Sequence, residues 1–128
     1  MRFAAALTLI LLGSWPLAGC GGALGSARDA LEEGRLPAAA AELRRLEPAA
    51  RAWTGRTRGR YALYRGLAEL GLGNASAADR WLFEAWQRDA SDPRLFDARE
   101  HGALIAAWRS TGRLPGERGE RPAFRARD

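Results

Sequence analysis

Gly34, Gly73 and Gly112 stand at equal intervals of 39 residues. Each closes a stretch that reads as a helix, and Gly34-Arg35-Leu36-Pro37 recurs as Gly112-Arg113-Leu114-Pro115. Ala39 falls in register with Ala78, and Leu43 with Leu82. Equal spacing with aligned apolar positions predicts an array of like units, each too thin to bury its apolar face alone and therefore stacked on the next. The chain holds two full units and the first helix of a third, which is expected to cap the array.

The middle unit, Gly59 to Pro93, is the best defined. Over Arg58–Leu72, at about 100° per residue, Leu63, Leu67 and Leu70 share one face, and Tyr61, Tyr64, Ala68 and Gly71 lie on the next. Only Arg58, Arg65 and Glu69 occupy the remainder, so this helix is expected to pack on two sides. A turn at Gly71-Leu72-Gly73-Asn74 leads into Ala77–Ala90, where Ala78, Leu82 and Ala85 form a seam flanked by Trp81, Phe83 and Trp86. Arg80, Glu84 and Gln87 face away from it. Ser76-Ala77-Ala78-Asp79 has the form of a helix-capping box. Two short helices joined by a tight turn lie antiparallel.

Strands are disfavoured, because the chain has no Val and Ile only at 10 and 105, and β-branched residues are what strands favour. Ala, Leu, Arg and Glu dominate, and they favour helix. The expectation is an all-α fold of antiparallel hairpins with about five helices. All 20 basic residues are Arg, which matches a GC-rich coding sequence better than selection for guanidinium chemistry.

Gly66, Gly73, Ala78, Leu82 and Ala85 resemble the tetratricopeptide repeat family. Its pattern places a small residue in the first helix, a Gly at the turn, then Ala, a large apolar residue four later and a small one three beyond. Pro93 matches the closing proline a few residues late. The resemblance implies close helix crossings at the small residues, with Ala78 expected opposite Gly66. The family period is about 34 residues, so the excess is expected in the loops between units.

The first nineteen residues carry an export pattern. Met1-Arg2 gives a positive start, Phe3–Leu12 an apolar run too short to span a bilayer well, and Gly13-Ser14-Trp15-Pro16 a break. This is the architecture of a secretory signal. Leu17-Ala18-Gly19-Cys20 resembles a bacterial lipobox, which implies cleavage before Cys20 and lipid on its sulfur and amino group. Two or more acyl chains anchor stably where one does not. Cys20 is the only cysteine, so a mature chain has no intramolecular disulfide. Gly21, where an Asp would imply inner-membrane retention, implies the outer membrane, facing the periplasm.

The domain plan is therefore a signal peptide (1–19), a lipidated Cys20 with a tether to residue 25, a helical repeat domain (26–112) and a disordered Arg-rich tail (113–128). The tether would reach at most ~17 Å. Ser26-Ala27-Arg28-Asp29 is expected to start a helix that ends at Gly34, and Pro37 to open another over Ala38–Leu46. A loop is expected over 47–57. Asp92-Pro93 reads as the start of the last helix, which runs to Thr111.

No catalytic constellation is legible. His101 is the only His, with Asp97 its expected neighbour one helical turn back, and a surface His is the better reading. One His and one Cys make a poor metal set, and no cofactor beyond the covalent lipid on Cys20 is expected. Arg51, Arg56, Arg58, Arg60 and Arg65 share a stretch with no acid, interleaved with Trp53, Tyr61 and Tyr64. Arg with aromatic residues suits acidic partners and interface hot spots, against the alternative of a solvated loop. Export argues against nucleic acid and favours acidic envelope proteins or anionic lipid. If this stretch is only scaffold, the Phe83/Trp86 side of the hairpin is the next place to look.

The expected function is a non-catalytic adaptor or assembly factor of the bacterial envelope, bound to the membrane through lipid, with no small-molecule substrate. The alternatives are an activator or enzyme acting on murein and a structural lipoprotein of a secretion or pilus apparatus.

Overall fold

The computed structural model describes residues 20–111. The signal peptide, Gly112 and the tail to residue 128 lie outside the described residues. Among the described residues there are five helices and no strand: α1 (Cys20–Glu32), α2 (Leu36–Ala50), α3 (Gly55–Gly71), α4 (Ala75–Ser91) and α5 (Ala98–Ser110). The fold is all-α, as the composition implies.

Two of the three glycines spaced 39 apart, Gly34 and Gly73, lie in the described residues, and their turns make the same hydrogen bonds. After α1, Glu33 N donates to Asp29 O at 3.0 Å, Gly34 N to Leu31 O at 3.1 Å and Arg35 N to Ala30 O at 2.8 Å. After α3, 39 residues on, Leu72 N donates to Ala68 O at 3.1 Å, Gly73 N to Leu70 O at 3.1 Å and Asn74 N to Glu69 O at 2.9 Å. This six-to-one and five-to-two pair is the Schellman arrangement, which satisfies the last carbonyls of a helix and needs a left-handed residue. Gly34 and Gly73 supply it, with φ of 73° and 80°. The residues that open the next helices agree as closely: Arg35 has φ −82° and ψ 67°, Asn74 φ −84° and ψ 73°. At the end of α5, Thr111 (φ −82°, ψ −3°) repeats Leu72 (φ −83°, ψ −3°).

Helix α3 is the centre and packs against each of the other four. Tyr61, Leu43, Leu63, Leu82, Leu104 and Trp108 are the largest fully buried apolar side chains. The crossing of α3 with α4 is tight because Gly66 has no side chain. A Cβ there would lie 2.7 Å from Cδ2 and Cγ of Leu82 and 3.1 Å from its backbone nitrogen. Ala78 is fully buried, but Leu82, not Ala78, is the residue seated on Gly66.

Several boundaries differ from the sequence expectation. The tether to residue 25 is part of α1, because Leu24 and Ala27 are buried in the core and their burial carries the helix back through the glycines. Helix α2 does not stop before Pro48 but runs to Ala50. Proline removes one helical hydrogen bond, and the Ala50 carbonyl that ends the helix is capped from outside, by Arg58 Nη1 at 2.8 Å. The expected loop over 47–57 shrinks to residues 51–54. Helix α4 starts at Ala75, so Ser76 is inside it rather than capping it. Asp92-Pro93 forms a turn, with Asp92 Oδ1 accepting from Arg94 N at 3.0 Å, and Leu95 and Phe96 after it are buried. The cap of α5 is Asp97, whose Oδ1 accepts from Glu100 N at 2.8 Å.

Candidate interaction surfaces

The arginine stretch from 51 to 65 has no acid within it, yet the fold brings acids to it from elsewhere. Arg58 makes a bidentate pair with Glu84 of α4, Nε to Oε2 at 2.9 Å and Nη2 to Oε1 at 2.7 Å. Arg60 forks onto Glu100 of α5 at 2.9–3.2 Å. Arg65 reaches Glu47 and Glu69, each at 3.2 Å. Arg56 donates to the Arg94 carbonyl at 3.0 Å. These guanidiniums join helices to one another, a use that suits a planar, permanently charged fork.

The aromatic residues of the stretch are also core. Tyr61 and Tyr64 are buried. Trp53 packs edge-on against Tyr61, centroids 5.8 Å apart at 85°, and Tyr61 does the same to Trp81 at 5.4 Å and 87°. Of the set expected to bind a partner, Tyr61 and Tyr64 are buried, Arg58 and Arg60 are paired within the fold and Trp53 packs on Tyr61, while Arg56 stays exposed. The acid-free sequence described a helix that meets its acids in space, and Trp53 already has its apolar site.

The polar stripe of α3 is likewise interior. Glu69 is 2% exposed and accepts from Arg44 at 3.0–3.1 Å, Arg65 at 3.2 Å and Asn74 Nδ2 at 2.7 Å. Burial works against its charge, but the hydrogen bonds from Asn74, Arg44 and Arg65 outweigh burial and hold its carboxyl below the ordinary value. The Tyr61 hydroxyl donates to Leu43 O at 2.8 Å and accepts from Arg65 Nη1 at 2.9 Å. Burial pushes this phenol up, with Arg65 opposing.

Two of the open grooves among the described residues have apolar floors with charged rims. One, of about 300 Å³, runs where α1, α3 and α5 meet, over Leu31, Leu63, Leu67 and Ala103. Its rim charges are paired: Arg99 with Glu32 at 3.0 Å and Arg60 with Glu100 at 2.9 Å. The other, of about 400 Å³, lies between the end of α2 and α4, over Trp81 and Phe83. Arg51 and Arg80 line it and are exposed. Sequence reading named Phe83 and Trp86 as the fallback; the two rings stack at 6.2 Å and 20°. It placed Arg51 with the arginine stretch leading into α3 rather than with this groove, because only the folded chain brings residues 51 and 80 to one groove.

His101 pairs with Asp89, Nδ1 to Oδ2 at 2.8 Å, rather than with Asp97, which caps α5. Among the described residues, no group of three or more His, Cys, Asp and Glu could hold a metal ion, and no helix is long and apolar enough to cross a membrane. Cys20 is the first residue of α1. Gly66, Gly73, Ala78, Leu82 and Ala85 all lie at the α3–α4 hairpin, and Ala78, Leu82 and Ala85 are fully buried. No protein-family model matches this chain, no curated protein matches it, and no solved structure matches it.

Proposed function

We propose that this protein is a lipid-anchored, non-catalytic adaptor of the bacterial cell envelope that holds a partner protein on its stacked helical hairpins. The observation that carries the reading is the groove along α1, α3 and α5. These are the first helices of three successive units, and in stacked repeats the corresponding row forms the extended surface on which partners bind. Leu31 and Leu67 in that groove are only partly buried, as an apolar floor awaiting cover would be. The likeness to tetratricopeptide repeats is supported by the repeated turn geometry. The lipid anchor is supported by the lipobox-like Leu17-Ala18-Gly19-Cys20 alone.

Two measurements test this. Photocrosslinking from Leu67 in intact cells should capture a specific envelope protein, and the same probe at exposed Ala106, on α5 outside this groove, should not. Equal capture from both would sink the groove as a partner site. For the anchor, Cys20→Ser should leave the protein unprocessed or soluble. Wild-type protein that takes up no fatty acid and stays in the aqueous phase on detergent partitioning would refute it.

A further inference from the structure

The groove between α2 and α4 has a different chemistry from the partner groove. Its two carboxylates are engaged: Glu84 by Arg58 at 2.7 Å, and Glu47 by Arg65 at 3.2 Å. Two of its guanidiniums are not. Arg51 and Arg80 make no ion pair among the described residues, although both are exposed and line the same groove. Arg80 lies over the Trp81 ring, its Cζ 5.0 Å from the centroid. Arg58 and Arg65, also at Trp81, stand at 5.4 and 5.2 Å and are already committed to acids. Trp81 is 6% exposed, and its buried Nε1 has no hydrogen-bond partner among the described residues. A buried donor with no acceptor is costly to leave unmade. A guanidinium resting on an indole face keeps its N–H fork free and its position fixed.

We propose that this groove binds an acidic side chain of a peptide segment, with the carboxylate between Arg51 and Arg80 and a neighbouring apolar side chain over Trp81 and Phe83. Charge complementarity selects the anion, since the unpaired charges of the groove are positive and its carboxylates are occupied. A peptide fits better than a membrane surface for the same reason. Glu47 and Glu84 stand in the groove with the arginines, so a continuous sheet of anionic headgroups would meet them too. A single carboxylate need not, and the Gln87 amide on the same wall can serve the peptide backbone. The site is separate from the α1–α3–α5 groove and does not depend on the lipid anchor.

The test uses the full chain in neutral detergent and two capped peptides, one with Glu flanked by Leu and one with Gln in its place. The Glu peptide should bind about tenfold more tightly than the Gln peptide, the range of one charge-assisted hydrogen-bonded contact, and the gap should narrow with salt. Arg51→Gln and Arg80→Gln should each reduce that preference several-fold, and both together should abolish it. Arg109→Gln, an exposed arginine on α5, should leave it unchanged. Equal binding of the two peptides overturns the proposal, as does an equal loss in Arg109→Gln, which would mean a diffuse charge effect. So does binding to phosphatidylglycerol vesicles that depends on Arg51 and Arg80 while neither peptide binds.

Discussion

The α1–α2 hairpin and the α3–α4 hairpin share a backbone and differ in what fills it. Their turns make the same hydrogen bonds 39 residues apart. At the third residue from the end of the first helix, however, α1 carries Ala30 and α3 carries Glu69. Just past the turn the first hairpin has Arg35, whose Nε bonds the exposed Glu33 at 2.7 Å. The second has Asn74, which donates to buried Glu69 at the same distance. At the helix crossing the first has buried Ala27 and the second Gly66. One scaffold thus supports an apolar unit at the edge and a polar-locked unit at the centre. The geometry belongs to the glycine turn, and the locking to whichever helix has neighbours on every side.

The largest effect that would break this comparison is at Glu69. Removing it leaves the buried Arg65 short of an acceptor and frees the exposed Arg44, and breaking a buried pair on one side costs about 3–5 kcal/mol. Ala30→Gly, at the matching position of α1, should cost about 1 kcal/mol, mainly helix propensity. Urea unfolding of Glu69→Ala and Ala30→Gly reads the difference, and similar losses would mean that the two hairpins are energetically alike. Acid gives a second reading of the same lock. The folded carboxyl of Glu69 is held below its ordinary value, so its contribution is whole above the unfolded value and is lost as pH falls through the depressed folded one. Asp97, held down by the backbone N–H of Glu100, acts in the same direction. The melting temperature of the wild type should therefore fall below the ordinary carboxylate range, and Glu69→Gln, already less stable, should show a shallower fall. A parallel fall in the two proteins would remove Glu69 as a source of acid sensitivity.

The crossing comes next. Gly66→Ala places a methyl 2.7 Å from Leu82 and 3.1 Å from its backbone nitrogen. The Leu82 side chain can turn, but the backbone must shift, and overpacking of this kind costs about 1–3 kcal/mol. Ala27→Gly, the reverse exchange in the first hairpin, should cost about 1 kcal/mol. If Gly66→Ala is neutral or stabilising in thermal melts, the α3–α4 approach is looser than the contact distances imply.

What the sequence made legible follows the same division. Periodic features were readable, because the turn glycines and the Ala78–Leu82–Ala85 seam act within one hairpin and the 39-residue spacing carries the turn from one hairpin to the next. Non-local pairing was not. Arg58, Arg60 and Arg65 looked like a surface patch because their acids, Glu84, Glu100 and Glu47, lie 26, 40 and 18 residues away. The start of α5 was misplaced for a related reason. Asp92-Pro93 and Asp97-Ala98-Arg99-Glu100 are both credible helix starts in sequence, and what separates them is that Leu95 and Phe96 between them are buried. The Arg51–Arg80–Trp81 groove was legible only in pieces, Arg51 within the arginine stretch and Trp81 as a flank of the α4 seam, since its walls come from different hairpins.

The smallest effect tests the part of the comparison that should survive. Gly34 and Gly73 both take left-handed φ, and an added Cβ at either would find no atom of the described residues within 4 Å. Substitution by Ala therefore costs backbone strain and nothing else, about 1–2 kcal/mol for one residue in that region. Equivalent turns predict equal costs, although the two hairpins differ in side-chain chemistry all around them. Gly34→Ala and Gly73→Ala should shift the urea midpoint by the same amount, to within about 0.5 kcal/mol, with unchanged slope. Leu36, just past the first turn, packs against Gly71 of the second, so the loss in the double variant, set against the sum of the single losses, reads any coupling between the turns. A larger loss at Gly73 would show that the Asn74–Glu69 bond is strained along with the turn. In that case the backbone and the polar lock would be one device, and the unit would not be a common scaffold with interchangeable fillings.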